Sequence, residues 1–202
     1  MNLLAHLHLS EGAPAGVAAG NLLADYMRRL NATAPDRDFE AGLRLHYAID
    51  AFAEKHPLAR EARACIAPPR RRLAGIIVDV AFDHVLSREW RRYSPVPLES
   101  YVAARLETIR SHLERRPPPL HDLVRRAMEE EWLLEYGTPD GLRRTFDRIA
   151  RRSPAAAGLR GAEEEIDRHG ERFLELFSRF YPQLLARHGG GGGNPAPRTP
   201  PA

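Results

Sequence analysis

An all-α fold, one compact helical domain, is what this sequence predicts, on three observations. Apolar residues recur at helical spacing, as in Leu98, Tyr101, Val102, Leu106, Ile109 and Leu113, and again in Ile166, Phe173, Leu174, Phe177 and Phe180. Prolines punctuate the chain where helices would begin. No comparable run alternates apolar and polar residues as a half-buried strand would. At 202 residues and 43% hydrophobic content the chain can bury one sizeable core, and a second full domain would be a tight fit.

The elements follow in order. Asn2 to Leu9 is ambiguous, because its polar positions alternate: His6 and His8 share a side if the segment is extended and splay apart if it is helical. Helices are expected over 16–30, 38–55 and 57–66, then over 69–92, 97–115, 120–136, 139–151 and 161–186. Pro57, Pro69, Pro97, Pro139 and Pro154 each open a segment rich in Ala, Leu, Arg and Glu, at positions where the missing N–H costs nothing. Thr138 and Ser153 precede two of these prolines as N-caps. From Gly189 the composition changes to a glycine run and then a proline-rich end with almost nothing to bury, so 1–188 is read as the domain and 189–202 as a disordered tail.

Composition narrows the class. The formal net charge is only +3, and of the 30 basic residues one alone, Lys55, is lysine. Arginine donates bidentately and suits phosphate or carboxylate groups, although many of these arginines stand near Glu or Asp and form ordinary surface pairs. That charge, without an aromatic-basic recognition motif, falls short of a nucleic-acid footprint. The single cysteine, Cys65, excludes an intramolecular disulfide and fits a reducing compartment. No run approaches the ~18 apolar residues of a membrane span, and no basic leader precedes the first apolar stretch. A cytoplasmic protein without membrane attachment is expected.

Chemistry is signalled by charged groups set into apolar helix-forming sequence. Between Gly75 and Leu86, Asp79, Asp83 and His84 interrupt an otherwise buried segment. An unpaired carboxylate in such a place costs several kcal/mol, so a cation is the natural partner. Asp79 and Asp83 are four apart, as are His46 and Asp50, and Asn21 and Asp25. That spacing stacks side chains on one helix face, about 5–6 Å apart at Cβ. Ligands rich in oxygen with some imidazole favour Mn, Mg or Fe over structural zinc, and such a set activates water at a phosphoryl group. Phosphate-binding loops, dinucleotide fingerprints, His-Glu-x-x-His helices and nucleophile elbows are all absent from the sequence. His121-Asp122, a literal His-Asp doublet, follows three prolines, where an aspartate in the first turn of a helix serves the dipole instead.

Several blocks resemble one family. Asn2-x-Leu4-Ala5-His6-Leu7-His8-Leu9, Gly20-Asn21-Leu22-Leu23-Ala24-Asp25, His46-x-x-Ile49-Asp50 and Asp79-Val80-x-x-x-Asp83-His84-x-Leu86-Ser87-x-x-Trp90 are similar, in this order, to the bacterial acyl carrier protein phosphodiesterases. The likeness continues more weakly through Glu131-Trp132-Leu133 to Phe180-Tyr181-Pro182. It implies hydrolysis of holo-acyl carrier protein to the apo form and 4′-phosphopantetheine by an HD-phosphohydrolase-like helical enzyme. It also implies Mn2+, with Mg2+ or Fe2+ as alternatives. The expected metal ligands are His6, Asp25, His46, Asp50, Asp79 and Asp83, with His84, His8 and Asn21 as catalytic groups. Either His84 or His8 would protonate the departing serine alkoxide. Arg70, Arg71, Arg72 and Arg88, at the two ends of the helix carrying Asp79, would guide the acidic carrier protein. Two other readings stay open: an HD-type phosphohydrolase acting on a nucleotide or other small phosphoester, and a non-catalytic helical module that binds acidic proteins.

Overall fold

In the computed structural model, which describes residues 1–114, 118–129 and 131–189 (118–121, 123 and 127 by backbone alone), the ambiguous N-terminal segment is a helix, α1, Leu3–Leu9. Its polar alternation gives way to tertiary packing: every residue from Leu4 to Leu9 is buried. The remaining helices are α2 (Ala15–Leu30), α3 (Arg37–Lys55), α4 (Pro57–Cys65), α5 (Ala74–Arg88), α6 (Leu98–Leu113), α7 (Pro118–Glu129), α8 (Pro139–Ala150) and α9 (Glu163–His188). No strand occurs among the described residues, so the chain is an all-α single domain.

Sequence signals account for most of the boundaries. Asp36 caps α3 by accepting from Phe39 N at 2.8 Å, and Thr138 caps α8 by accepting from Gly141 N at 3.1 Å. Pro57 and Pro139 each stand in the first turn of their helix. Two expected helices are shorter than their apolar patterns. The segment 69–92 begins as a 3-10 turn, Pro68–Leu73, and becomes α-helical only from Ala74, because tandem prolines remove successive donors. It ends at Arg88, followed by a further 3-10 turn, Trp90–Arg92. The segment 120–136 stops at Glu129, and Glu131 takes a left-handed conformation (φ 51°) that no α-helix accommodates. The tail expected from Gly189 lies, apart from Gly189 itself, outside the described residues.

Helices α2 and α3 make the most extensive contact in the molecule. Two glycines permit it. A Cβ on Gly20 would stand 2.0 Å from the Phe39 carbonyl oxygen, and one on Gly42 would stand 2.2 Å from that of Val17. The backbones therefore approach as closely as chain geometry allows, bringing Asn21 on α2 beside His46 on α3. On the other side, α5 packs on α9 through Phe82, whose ring centroid lies 5.4 Å from those of Phe177 and Phe180. The short α1 lies against α2 and α5, with its histidines inside the fold.

Candidate metal centre

Three helices deliver the centre: α1 brings His6, α2 brings Asn21 and Asp25, and α3 brings His46 and Asp50. Asn21, fully buried, organises both rings. Its side-chain oxygen accepts from His6 Nδ1 at 3.0 Å while its amide donates to the His6 carbonyl at 2.7 Å. Its main-chain carbonyl accepts from His46 Nδ1 at 2.9 Å. An oxygen acceptor at each Nδ1 fixes the proton there and leaves both Nε2 lone pairs for a cation, the usual arrangement behind metal-binding histidines.

Those two nitrogens face one carboxylate. His6 Nε2 is 3.2 Å from Asp50 Oδ1 and His46 Nε2 is 3.2 Å from Asp50 Oδ2, and donor atoms of all three residues lie within 4.8 Å of one another. Buried His46 Nε2 finds no hydrogen-bond partner despite this proximity, because the atoms are out of line. A buried nitrogen without a partner, a second aimed at the same point and a carboxylate between them suit a divalent cation, and the donor set fits Mn2+, Mg2+ or Fe2+.

The electrostatics agree. Burial opposes a charge on His46, but Asp25 and Asp50 outweigh it and raise the ring to about 9. His6 is held below its usual value, chiefly by burial. Burial would raise the Asp50 carboxyl, yet the adjacent His46 and His6 rings, and the Met1 amino group, hold it far below the ordinary carboxylate range. Without a metal, the charged His46 ring and the Met1 amino group balance the Asp50 carboxylate.

The remaining expected residues are distributed around this core. Asp25 stands at the rim, 53% exposed at its side chain, 3.7 Å from His46 Nε2 and paired with Arg28 at 3.0 Å. Asp79 touches neither imidazole: its Oδ1 lies 3.1 Å from the Met1 amino group, which is also 3.1 Å from Asp50 Oδ1. Asp83 has a different task. The first amides of a helix lack intrahelical acceptors, and the fully buried Asp83 supplies them to α1, taking Leu4 N at 2.7 Å and Ala5 N at 3.2 Å. Burial raises its carboxyl to about 7.

Both expected proton donors are engaged by partners outside the centre. His84 Nδ1 is held 2.6 Å from the Tyr136 carbonyl. His8 is buried among Trp90, Tyr101 and Tyr181, bonded to the Tyr181 hydroxyl at 2.8 Å and depressed to about 4 by desolvation. Of the expected substrate arginines, Arg70 pairs with buried Glu165 at 3.4 Å and Arg71 donates to the Ile66 carbonyl at 2.9 Å, so both serve the fold. Arg72 and Arg88 are exposed. Asp122 is exposed and pairs with Arg125 at 3.6 Å; the His121 side chain lies outside the described residues. Sequence reasoning missed the double acceptor role of Asn21, although an amide inside Gly20-Asn21-Leu22-Leu23-Ala24 signalled that something buried needed a polar partner.

Comparisons with known proteins bear on this centre. The family model described as acyl carrier protein phosphodiesterase matches residues 1–184. An acyl carrier protein phosphodiesterase of Escherichia coli O139:H28 (strain E24377A / ETEC) is 35% identical over 188 residues, covering 93% of this chain and 97% of the relative. That of Escherichia coli strain K12 / DH10B shows the same identity and coverage. No solved structure matches. A match through nearly every helix described, including all three that build the centre, places the chain in the acyl carrier protein phosphodiesterase family.

Proposed function

We propose that this protein is a metal-dependent phosphodiesterase that hydrolyses holo-acyl carrier protein to apo-acyl carrier protein and 4′-phosphopantetheine. The observation that carries the reading is family membership over residues 1–184. The paired imidazoles and Asp50 support a cation within it.

His6, His46 and Asp50 would hold the cation, with Asp25 able to turn in from the rim. Mn2+ bound there, or Mg2+ or Fe2+ in its place, would polarise the phosphoryl group and lower the pKa of water. The chain's own contribution is geometric. Asn21 keeps both rings in the ligating tautomer, and stacking of His6 on His46 limits their rotation. Asp25, the exposed carboxylate beside the cluster, would also orient attacking water by accepting its hydrogen bond. No helix among the described residues is long and apolar enough to cross a membrane. We place the reaction in the cytoplasm, in keeping with the unpaired Cys65.

The test is incubation of purified holo-carrier with the protein and Mn2+, followed by intact mass measurement of the carrier. Conversion to the apo mass, stopped by a chelator, is expected. An unchanged mass under Mn2+, Mg2+ and Fe2+ alike would overturn the proposal.

A further inference from the structure

Arginine gathers beside the centre at a place the helix-end motif did not indicate. A cleft of about 520 Å³ is lined by Arg29 of α2, Arg126 of α7, and Arg144, Arg148, Arg151 and Arg152 of α8 and the turn after it. Two carboxylates share the lining, Glu135 and Asp147. Glu135 is engaged by Arg144 at 2.5 Å and Arg148 at 2.9 Å. Arg29 and Arg152 have no carboxylate partner among the described residues, and both are exposed. Arg29 instead lies over the Tyr26 ring at 5.7 Å.

The cleft leads toward the rim of the metal centre at Asp25. Tyr26, Arg29, Trp132 and Arg152 also line a narrower slot whose wall includes Asp25 and the apolar side chains of Leu22 and Leu133. Arg152 feels both ends. Desolvation, then repulsion from Arg29, holds its guanidinium below its usual range, while Asp25 pulls the other way.

A phosphodiester brings one negative charge, and the cation beside Asp50 would take it. The cleft lining carries four more cations than anions. Guanidinium forks crowded without matching carboxylates call for several anionic groups presented together, which an acidic stretch of polypeptide supplies and a small diester does not.

We propose that this cleft, through Arg29, Arg151 and Arg152, docks the acidic protein portion of the substrate while the phosphodiester reaches the centre along the slot past Asp25. The proposal rests on the phosphodiesterase reading above and adds to it the surface that makes the substrate a protein. Arg29 and Arg152 are positioning residues: they act on encounter and register, through charges screened over roughly 10 Å at 0.1 M salt.

The experiment compares three proteins: the parent, Arg29→Glu/Arg152→Glu, and Arg60→Glu/Arg91→Glu. The last makes the same change in net charge at exposed positions on α4 and in the turn after α5. Two quantities are read, KM and kcat on holo-carrier with Mn2+, and the affinity of fluorescently labelled apo-carrier by anisotropy, which needs no turnover. Expected for Arg29→Glu/Arg152→Glu are a KM raised at least tenfold, apo-carrier affinity weakened equally, kcat within threefold and a flatter salt dependence. Arg60→Glu/Arg91→Glu is expected to stay within twofold of the parent. Equal KM values for parent and cleft variant, or an equal loss in the Arg60/Arg91 variant, would overturn the docking cleft and leave the phosphodiesterase reading standing. A parent that neither binds nor hydrolyses the carrier would overturn both.

Discussion

The imidazoles of His6 and His46 stack with centroids 4.1 Å apart and planes 18° apart, although one ring comes from α1 and the other from α3. Two protonated rings would repel at this distance. The pair is accommodated because both Nε2 atoms face the Asp50 carboxylate and burial holds His6 below its usual value, so that the rings are not both charged.

Asn21→Ala should weaken Mn2+ binding by about 10- to 100-fold, the usual effect of losing the partner that orients a metal-binding histidine. His46 keeps its bond to the main chain, so the loss should fall on His6. Calorimetric titration with Mn2+ checks this; an affinity within twofold of the parent would show that packing alone sets the rings.

Asp50→Ala should remove both Mn2+ retention and carrier hydrolysis, because both Nε2 atoms face this carboxylate. Asp79→Ala should cost less, since Asp79 meets the centre only across the Met1 amino group. Metal content by mass spectrometry, read beside activity, ranks the two; a larger loss at Asp79 would reverse the assignment.

Proton and metal should compete at His46. The metal-free ring titrates near 9 and must lose its proton to ligate, so Mn2+ affinity should climb with pH, by up to tenfold per unit, and level off above about 9. The same raised value means that stability contributed by the charged ring is fully present below its unfolded value of 6.5 and is lost as pH rises through about 9. Titrations across pH 6.5 to 9.5, in buffers of different ionisation heat, count the released proton.

Asp83→Ala should destabilise the fold by about 1–3 kcal/mol, because the amides of Leu4 and Ala5 lose their acceptors. For a chain of this length that is roughly 2–4 °C in Tm per kcal/mol. The folded state raises this carboxyl to about 7, so its contribution is present at low pH and is lost as pH rises from the unfolded value of 3.8 through 7. Asp83→Asn should flatten that slope in thermal melts between pH 5 and 8.

Gly42→Ala should cost more than the roughly 1–3 kcal/mol of ordinary overpacking, because the added methyl meets backbone rather than a side chain able to move. Helices α2 and α3 would part, and Mn2+ affinity should fall with Tm.

Legibility in the sequence divided along a physical line. Helices with an apolar stripe and a proline or side-chain cap, such as α3 and α8, announced themselves because their determinants are local. The pairs Asn21/Asp25 and His46/Asp50 were legible as sets because four-residue spacing fixes a shared face. What Asp83 and Arg70 do was not. Their partners, Leu4 and Glu165, are 79 and 95 residues away, and the same apolar context that signals a buried cation also signals a buried cap or ion pair. The conformation of α1 was hidden for a related reason, since seven residues carry too few turns for periodicity to choose.

That brevity has a consequence in time. A helix of seven residues does not persist alone in water, where about 12–15 residues are needed even with favourable sequence. Its anchors are Asp83, 79 residues downstream of Leu4, and Tyr181, 173 residues downstream of His8. Leu4 N and the His8 ring find these partners only once α5 and α9 are in place, so α1, and with it the imidazole that His6 brings to the centre, takes its position late in folding rather than early.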